Sequence, residues 1–302
     1  MEAEETLTAV RTFNRTVTQR VGALGDHYLS RDRPLGAARV LWEIGEHGCE
    51  VRALRSRLAL DSGYLSRLLR SLEAAELITV VATEADHRIR EAKLTPAGRA
   101  EWALLDDRSD ELARSMLQPL TGPQRERLVA AMTTVTRLLT AAEVQLAVLD
   151  PEHPQAQLCL REYFAELNRR FEVGFDPATA LPVDLAAVRP PNGVFVVATL
   201  HQEPIGCGAL KFPPEGLPAG GVAELKRLWV SSAVRGLGVG RRLLLDLERR
   251  AGEHSSRAVR LDTNAALTEA IALYRAAGYQ EIAAFNQEPY ADFWFEKRLT
   301  RT

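Results

Sequence analysis

The chain has 302 residues, 46% of them hydrophobic and 26% charged, with a formal net charge of -2. At roughly 150 residues per domain this length predicts two domains, with apolar material for two separate cores. The near-neutral balance excludes a globally basic nucleic-acid binder, so any DNA-facing surface has to be a local patch.

No stretch has the unbroken apolar length of a membrane span, and the acidic start Met1-Glu2-Ala3-Glu4-Glu5 is not that of a signal peptide. Cys49, Cys159 and Cys207 are scattered, without metal-ligand spacing or a disulfide pattern. The expectation is therefore a cytoplasmic protein with no membrane partner and no metal.

The first half reads as mostly helical. Leu7, Val10, Asn14, Val17, Val21 and Leu24 recur at steps of three and four, the seam of a packing helix. A second helical pattern holds Leu41, Trp42 and Ile44 and stops near Gly45 and Gly48; a third runs over about 51–58. Asp61 or Ser62 then caps a helix reaching about Ala75. Two short strands, 77–83 and 88–94, flank the polar tip Glu84-Ala85-Asp86-His87. Thr95-Pro96 opens a long helix, Gly122-Pro123 interrupts it, and a last helix carries Leu128, Met132, Val135 and Leu139.

Asp150-Pro151-Glu152-His153-Pro154 is the best linker candidate. Beyond it, strands and helices alternate. A helix over 155–171 precedes strands at 194–200, 205–212, 222–230, 258–263 and 293–298, with a Pro/Gly-rich loop at 213–221.

Two segments carry chemistry. In the helix from Ser62, Leu65, Leu68, Leu69 and Leu72 share one face, which must be buried. The opposite face carries Gly63, Arg67 and Arg70, flanked by Ser66 and Ser71, with Ser62 and Tyr64 near the N-terminus: guanidinium forks for guanine edges or phosphates, and hydroxyls for phosphate. A solvated polar face is the competing explanation. In the second half, an apolar strand ending at Trp229-Val230 runs into Arg235-Gly236-Leu237-Gly238-Val239-Gly240-Arg241 and then a helix. Glycines bring backbone N–H groups close to an anion, and the helix start and arginines add positive charge, so a diphosphate suits the turn. The dinucleotide G-x-G-x-x-G spacing and the P-loop Lys-Ser/Thr are both missing. A plain helix cap is the alternative.

The stretch Leu65-Ser66-Arg67-Leu68-Leu69-Arg70-Ser71-Leu72-Glu73, the tip Asp86-His87-Arg88 and Leu94-Thr95-Pro96-Ala97-Gly98 resemble the MarR family of winged-helix regulators over roughly 6–147. The resemblance implies a homodimer, joined by its first and last helices, on a near-palindromic double-stranded DNA site, with Arg88 in the wing. Glu84, Asp86 and Glu91 make that wing acidic and weaken the case for Arg88.

The Arg-x-x-Gly-x-Gly turn, Glu224-Leu225-Lys226-Arg227-Leu228-Trp229-Val230, Asp262-Thr263-Asn264, and Ala272-Leu273-Tyr274-Arg275-Ala276-Ala277-Gly278-Tyr279 resemble the GNAT acetyltransferase superfamily, as does the ending from Asn286 to Lys297. The resemblance covers roughly 155–302. It implies acetyl-CoA lying between two splayed strands, with Trp229 and Val230 on pantetheine and Arg235, Gly236, Gly238, Gly240 and Arg241 on the pyrophosphate. It also implies Asn264 on the pantetheine arm, Tyr274 as general acid and Glu224 as general base. An exposed ion pair is the alternative for Glu224, and a core position is the alternative for Tyr274. The family's acceptor loop falls at 171–176, so Glu172 and Phe175 are expected to contact a small amine or amino-acid-like acceptor; a Gly-Phe turn packing on the sheet is the alternative.

The expected fold class is α+β in two domains. Residues 1–149 form a helical, MarR-like winged helix-turn-helix, and residues 150–302 a mixed α/β GNAT fold with splayed central strands. The expected function is an acetyl-CoA-dependent N-acetyltransferase fused to a DNA-binding regulator. Two alternatives stand: a regulator whose second half only senses a ligand, and a helical half that only dimerises.

Overall fold

A computed structural model describes residues 2–24, 28–30, 33–82, 89–177, 185–213 and 221–299. Those residues divide into two compact units whose boundary falls at 131/132.

The N-terminal unit contains α1 (Glu2–Arg20), α2 (Leu35–Ile44), β1 (Cys49–Glu50), α3 (Val51–Arg57), α4 (Ser62–Ala74), β2 (Ile78–Ala82), β3 (Arg90–Leu94) and α5 (Pro96–Leu117). The helix α6 (Gly122–Glu143) runs through the boundary. Gly45, at φ +59, ends α2, and Asp61 caps α4 by accepting the Tyr64 N–H at 2.8 Å. The leucine face of α4 is buried against Leu41, Ile44 and Leu54 in one cluster with β2 and β3. The three strands form an antiparallel sheet in the order β1-β3-β2, a winged helix-turn-helix architecture. The two-residue β1 carries too little period to be legible in sequence.

The junction between the sheet and α5 tolerates no side chain at Gly98. A Cβ there would lie 1.8 Å from the Leu77 carbonyl oxygen. Thr95 locks the same junction: its hydroxyl accepts the Gly98 N–H at 2.9 Å and donates to Glu76 O at 2.7 Å. By contrast, α1 leaves Leu7, Val10 and Phe13 half exposed, and α6 has no buried residue, with Leu138 and Leu139 both more than 60% exposed.

The C-terminal unit contains β4 (Gln145–Val148), α7 (Pro154–Arg170), β5 (Gly193–Leu200), β6 (Glu203–Lys211), β7 (Val222–Val230), α8 (Val239–Glu253), β8 (Ala258–Thr263), α9 (Thr268–Ala276), β9 (Gln280–Glu281) and β10 (Phe293–Arg298). One mixed sheet has the order β4-β5-β6-β7-β8-β10-β9. In β5, alternate residues serve two cores. Val194, Val196 and Ala198 pack in the cluster that holds Leu243, Leu244 and Leu247 of α8, while Phe195 and Val197 pack with Ala156, Cys159 and Leu160 of α7. Burial on both faces explains the unbroken apolar run of this strand.

β4 has no counterpart among the strands read from sequence. It pairs with β5, and the expected linker after it is anchored, with Arg189 bridging Asp150 at 2.9 Å and Glu152 at 2.7 Å. The sheet therefore begins ahead of the Pro-rich stretch that sequence marks as a boundary. Four residues between a long helix and two prolines are too few to show a strand period.

Among the described residues only β7 and β8 run parallel, and their pairing is short: Val222 with Ala258, Ala223 with Val259 and Glu224 with Arg260. Beyond Glu224, β7 pairs with β6 alone and β8 with β10 alone. The two central strands thus splay, and the edge of β7 from Lys226 to Val230 is left without a strand partner on its β8 side.

Candidate functional site

The splay opens into two adjoining cavities. A groove of about 440 Å³ is lined by Trp229 and Val230 at the end of β7 and by Arg235, Gly236, Gly238, Gly240 and Arg241 in the turn and first residues of α8. Seven of the eight residues that the resemblance assigns to pantetheine or pyrophosphate therefore line one groove; the eighth, Asn264, does not. Gly236 has φ +85 and Gly238 has φ +79, a region that side chains rarely adopt. A Cβ at either position would meet nothing within 4 Å, so their backbone faces open space. Gly240 differs: a Cβ there would sit 3.3 Å from Leu273 Cδ2, so this glycine packs α8 against α9. The exposed Arg241 lies in the first turn of α8.

Arg235 is already engaged. Its Nη2 lies 2.5 Å from Glu166 Oε1, on α7. Glu166 Oε2 accepts the Trp229 indole N–H at 2.9 Å, and Arg170 reaches the same carboxylate at 3.4 Å. Sequence reading missed Glu166, because nothing local distinguishes it from any other helix-surface glutamate.

The second cavity, of about 350 Å³, shares Tyr163, Leu228 and Leu267 with the groove. Tyr274 lines it and is only 5% exposed overall. Its ring lies 5.8 Å from that of Tyr279 and 6.2 Å from that of Phe295, within the core cluster of this unit. Its hydroxyl nevertheless has no hydrogen-bond partner among the described residues. Burial pushes the Tyr274 phenol well above the usual tyrosine range, as it does for Tyr163.

Asn264 lines this second cavity rather than the groove. Its Nδ2 donates to Tyr290 O at 2.8 Å and its Oδ1 accepts the Ala266 N–H at 2.9 Å, so the side chain shapes the turn after β8.

Two sequence expectations are corrected. Glu224 lines neither cavity: it sits where β7 still pairs with β8, and Arg260 Nη2 holds its carboxylate at 2.5 Å. The parallel register puts the two side chains beside each other, the arrangement of the ion-pair alternative. Glu172 is exposed and absent from the cavity lining, because the chain turns outward after α7, leaving Val173 90% exposed.

Phe175 does line the cavity. It stacks on Phe164 at 5.6 Å and meets Tyr290 at 4.9 Å, and Phe171 joins the cluster. The carboxylates facing this cavity are Asp262 and Glu288. Lys226 Nζ holds Asp262 Oδ1 at 2.5 Å, spanning the splay with side chains where backbone pairing has stopped.

In the N-terminal unit, Ser62, Tyr64, Ser66, Arg67 and Arg70 are all exposed on α4, with Arg67 and Arg70 opposite its leucines and Ser62 and Tyr64 flanking them. The Arg67 guanidinium lies 5.7 Å from the Tyr64 ring centroid, and Arg70 Nε donates to Ser66 O at 3.2 Å. Among the described residues neither arginine pairs with a carboxylate. The Tyr64 hydroxyl rests against Gly36, where a Cβ would lie 2.6 Å away. Arg88 lies outside the described residues. No helix among the described residues is long and apolar enough to cross a membrane.

Residues 160–279 match the acetyltransferase (GNAT) family and residues 32–89 match the MarR family. An IAA acetyltransferase from Azospirillum brasilense is 35% identical over 108 residues, 36% of this chain and 67% of that protein. A GNAT-family acetyltransferase structure from Staphylococcus aureus is 17% identical, with TM-score 0.44, over 52% of this chain and 100% of that one. The structure of Streptococcus pneumoniae FabT in complex with DNA is 20% identical, with TM-score 0.36, over 46% of this chain and 95% of that one. The chain belongs to the GNAT acetyltransferase family, a family built on an acyl-CoA donor, through its C-terminal unit, and it carries a MarR-family winged helix ahead of that unit.

Proposed function

We propose that the C-terminal unit is an N-acetyltransferase that moves an acetyl group from acetyl-CoA to a small amine, and that the N-terminal unit is a MarR-type regulator of transcription. The groove carries the first half of this reading. Open glycine backbone at positive φ, an arginine at the start of a helix and an unpartnered strand edge meet there, a combination suited to a long diphosphate-bearing thioester. In this reading the amides from Gly236 to Gly240, with Arg235 and Arg241, hold the pyrophosphate. The free edge at Trp229 and Val230 pairs with pantetheine, and Asn264 keeps the turn beneath it in shape.

The thioester, when bound, supplies an acetyl carbon to which the amine nitrogen bonds as the carbon–sulfur bond breaks, its electron pair leaving with sulfur. The chain handles the protons. The Tyr274 phenol gives its proton to the departing sulfur. Glu288, on the wall of the second cavity, takes a proton from the amine nitrogen, directly or through water, in the part that sequence assigns to Glu224. Solvent then carries the proton from Glu288 to the Tyr274 phenolate, so the net result is one proton moved from nitrogen to sulfur. Calorimetric titration with acetyl-CoA tests the reading first, and turnover against a panel of amines tests it next. No affinity for acetyl-CoA overturns it.

A second reading, a ligand sensor without turnover, is favoured by the pairing of Glu224 with Arg260, which removes one expected catalytic group. Acetyl-CoA binding that shifts DNA affinity, with no amine acetylated, is its signature.

For the N-terminal unit, the exposed guanidinium groups on α4 support reading of double-stranded DNA, and the exposed apolar residues of α1 and α6 support a homodimer on a near-palindromic site. The buried free thiols of Cys159 and Cys207 fit a reducing cytoplasm. Gel shift against salt, with Arg67→Ala as the control, is the test. Binding that is neither salt-sensitive nor weakened by the substitution favours a helical half that only dimerises.

A further inference from the structure

The cations facing the second cavity are not alike. Lys226 is neutralised by Asp262 across the splay. Arg227, the next residue, has no carboxylate partner and no side-chain hydrogen bond among the described residues. The nearby groups that act on its ionisation are the Tyr163 phenol and the Cys207 thiol, both uncharged at neutral pH, and burial disfavours its charged form. Its one side-chain neighbour of note is the ring of Phe164, whose centroid lies 5.5 Å from the guanidinium carbon.

The backbone at this residue is also unusual. Arg227 has φ +56, a left-handed conformation strained for an arginine. It sits at a break in the β6–β7 register between Cys207 and Ala209, and four consecutive residues, Leu225 to Leu228, line the cavity instead of alternate ones. The bulge breaks the in–out alternation where Arg227 joins the cavity wall. A half-buried guanidinium with no anion is costly, and a carboxylate offers it two parallel hydrogen bonds. Around it stand Phe164, Phe171, Phe175 and Tyr290, an apolar and largely aromatic wall.

We propose that Arg227 is the acceptor's carboxylate anchor, so that the amine acetylated belongs to an amino acid with an apolar, preferably aromatic, side chain. The inference rests on the acetyltransferase reading above. The carboxylate meets Arg227, the side chain meets the aromatic cluster, and the amine is left toward Tyr274 and Glu288.

Calorimetry without any acetyl donor tests this, using L-phenylalanine, its primary amide and phenethylamine on the full chain. The amino acid is expected to bind roughly tenfold or more tighter than the other two, the usual advantage of a charge-assisted hydrogen bond. Arg227→Gln is expected to collapse that ratio toward one, and Arg227→Lys to restore part of it. Unchanged acetyl-CoA affinity in both variants reports an intact fold. Turnover of the three compounds is expected to follow the same order. Equal affinities in the unsubstituted protein, a ratio that survives Arg227→Gln, or no binding of any of the three overturns the inference. The broader reading falls separately, on failure of the unsubstituted protein to bind acetyl-CoA.

Discussion

Glu166 accepts the indole N–H of Trp229 at 2.9 Å, tying α7 to the end of β7 at the mouth of the groove. The other oxygen of the same carboxylate takes Arg235 at 2.5 Å. A negative charge thus stands where a polyanion is proposed to bind, and it occupies a guanidinium that the anion would use. Glu166→Gln is therefore expected to tighten acetyl-CoA binding. The gain is about two- to fivefold, the worth of a partly exposed ion pair, and smaller at high salt. Titration calorimetry at two ionic strengths checks it; weaker binding would mean that Glu166 chiefly orients Trp229 and Arg235.

Tyr274→Phe is expected to lower turnover by roughly a hundredfold, within the usual range for a positioned proton donor, with acetyl-CoA affinity unchanged. The pH profile supplies a second check. Burial raises the phenol pKa above its ordinary value of about 10, so the protonated form persists through neutral and mildly alkaline pH. Activity should show no alkaline loss from this group below about pH 10. An alkaline limb that vanishes in the Phe variant would contradict that.

Gly238→Ala forces a methyl-bearing residue to φ +79 without any steric clash, since the space beyond is open. The expected cost in stability is about 1–2 kcal/mol, and acetyl-CoA affinity should fall because the turn relaxes. Gly240→Ala, which meets only the end of Leu273, is expected to be milder on both counts. Denaturant melts and titration of the two variants together decide whether the open glycines are the ones that matter.

Gly98→Ala is expected to destabilise the N-terminal unit by about 1–3 kcal/mol or more, because the methyl would press on the Leu77 carbonyl and backbone cannot yield as a side-chain tip can. Thermal unfolding checks the loss, and salt-sensitive DNA binding should fall with it. A variant as stable as the unsubstituted chain would contradict the close approach.

Much of this protein was legible in the sequence because its signals are local. The leucine face of α4, the Asp61 cap, Thr95-Pro96 and the glycine turn of 236–240 each depend on neighbours within a few residues. The same is true of the strands β5 and β6, whose apolar runs reflect burial on two faces. What tertiary structure alone decided were pairings between distant segments. Glu224 and Arg260, Arg235 and Glu166, and Lys226 and Asp262 are 36, 69 and 36 residues apart, and the sequence around each carboxylate looks alike. A carboxylate's role depends on which cation the fold sets beside it: the sheet register does this for Glu224, and the packing of α7 on the end of β7 does it for Glu166. The same register left Arg227 without one.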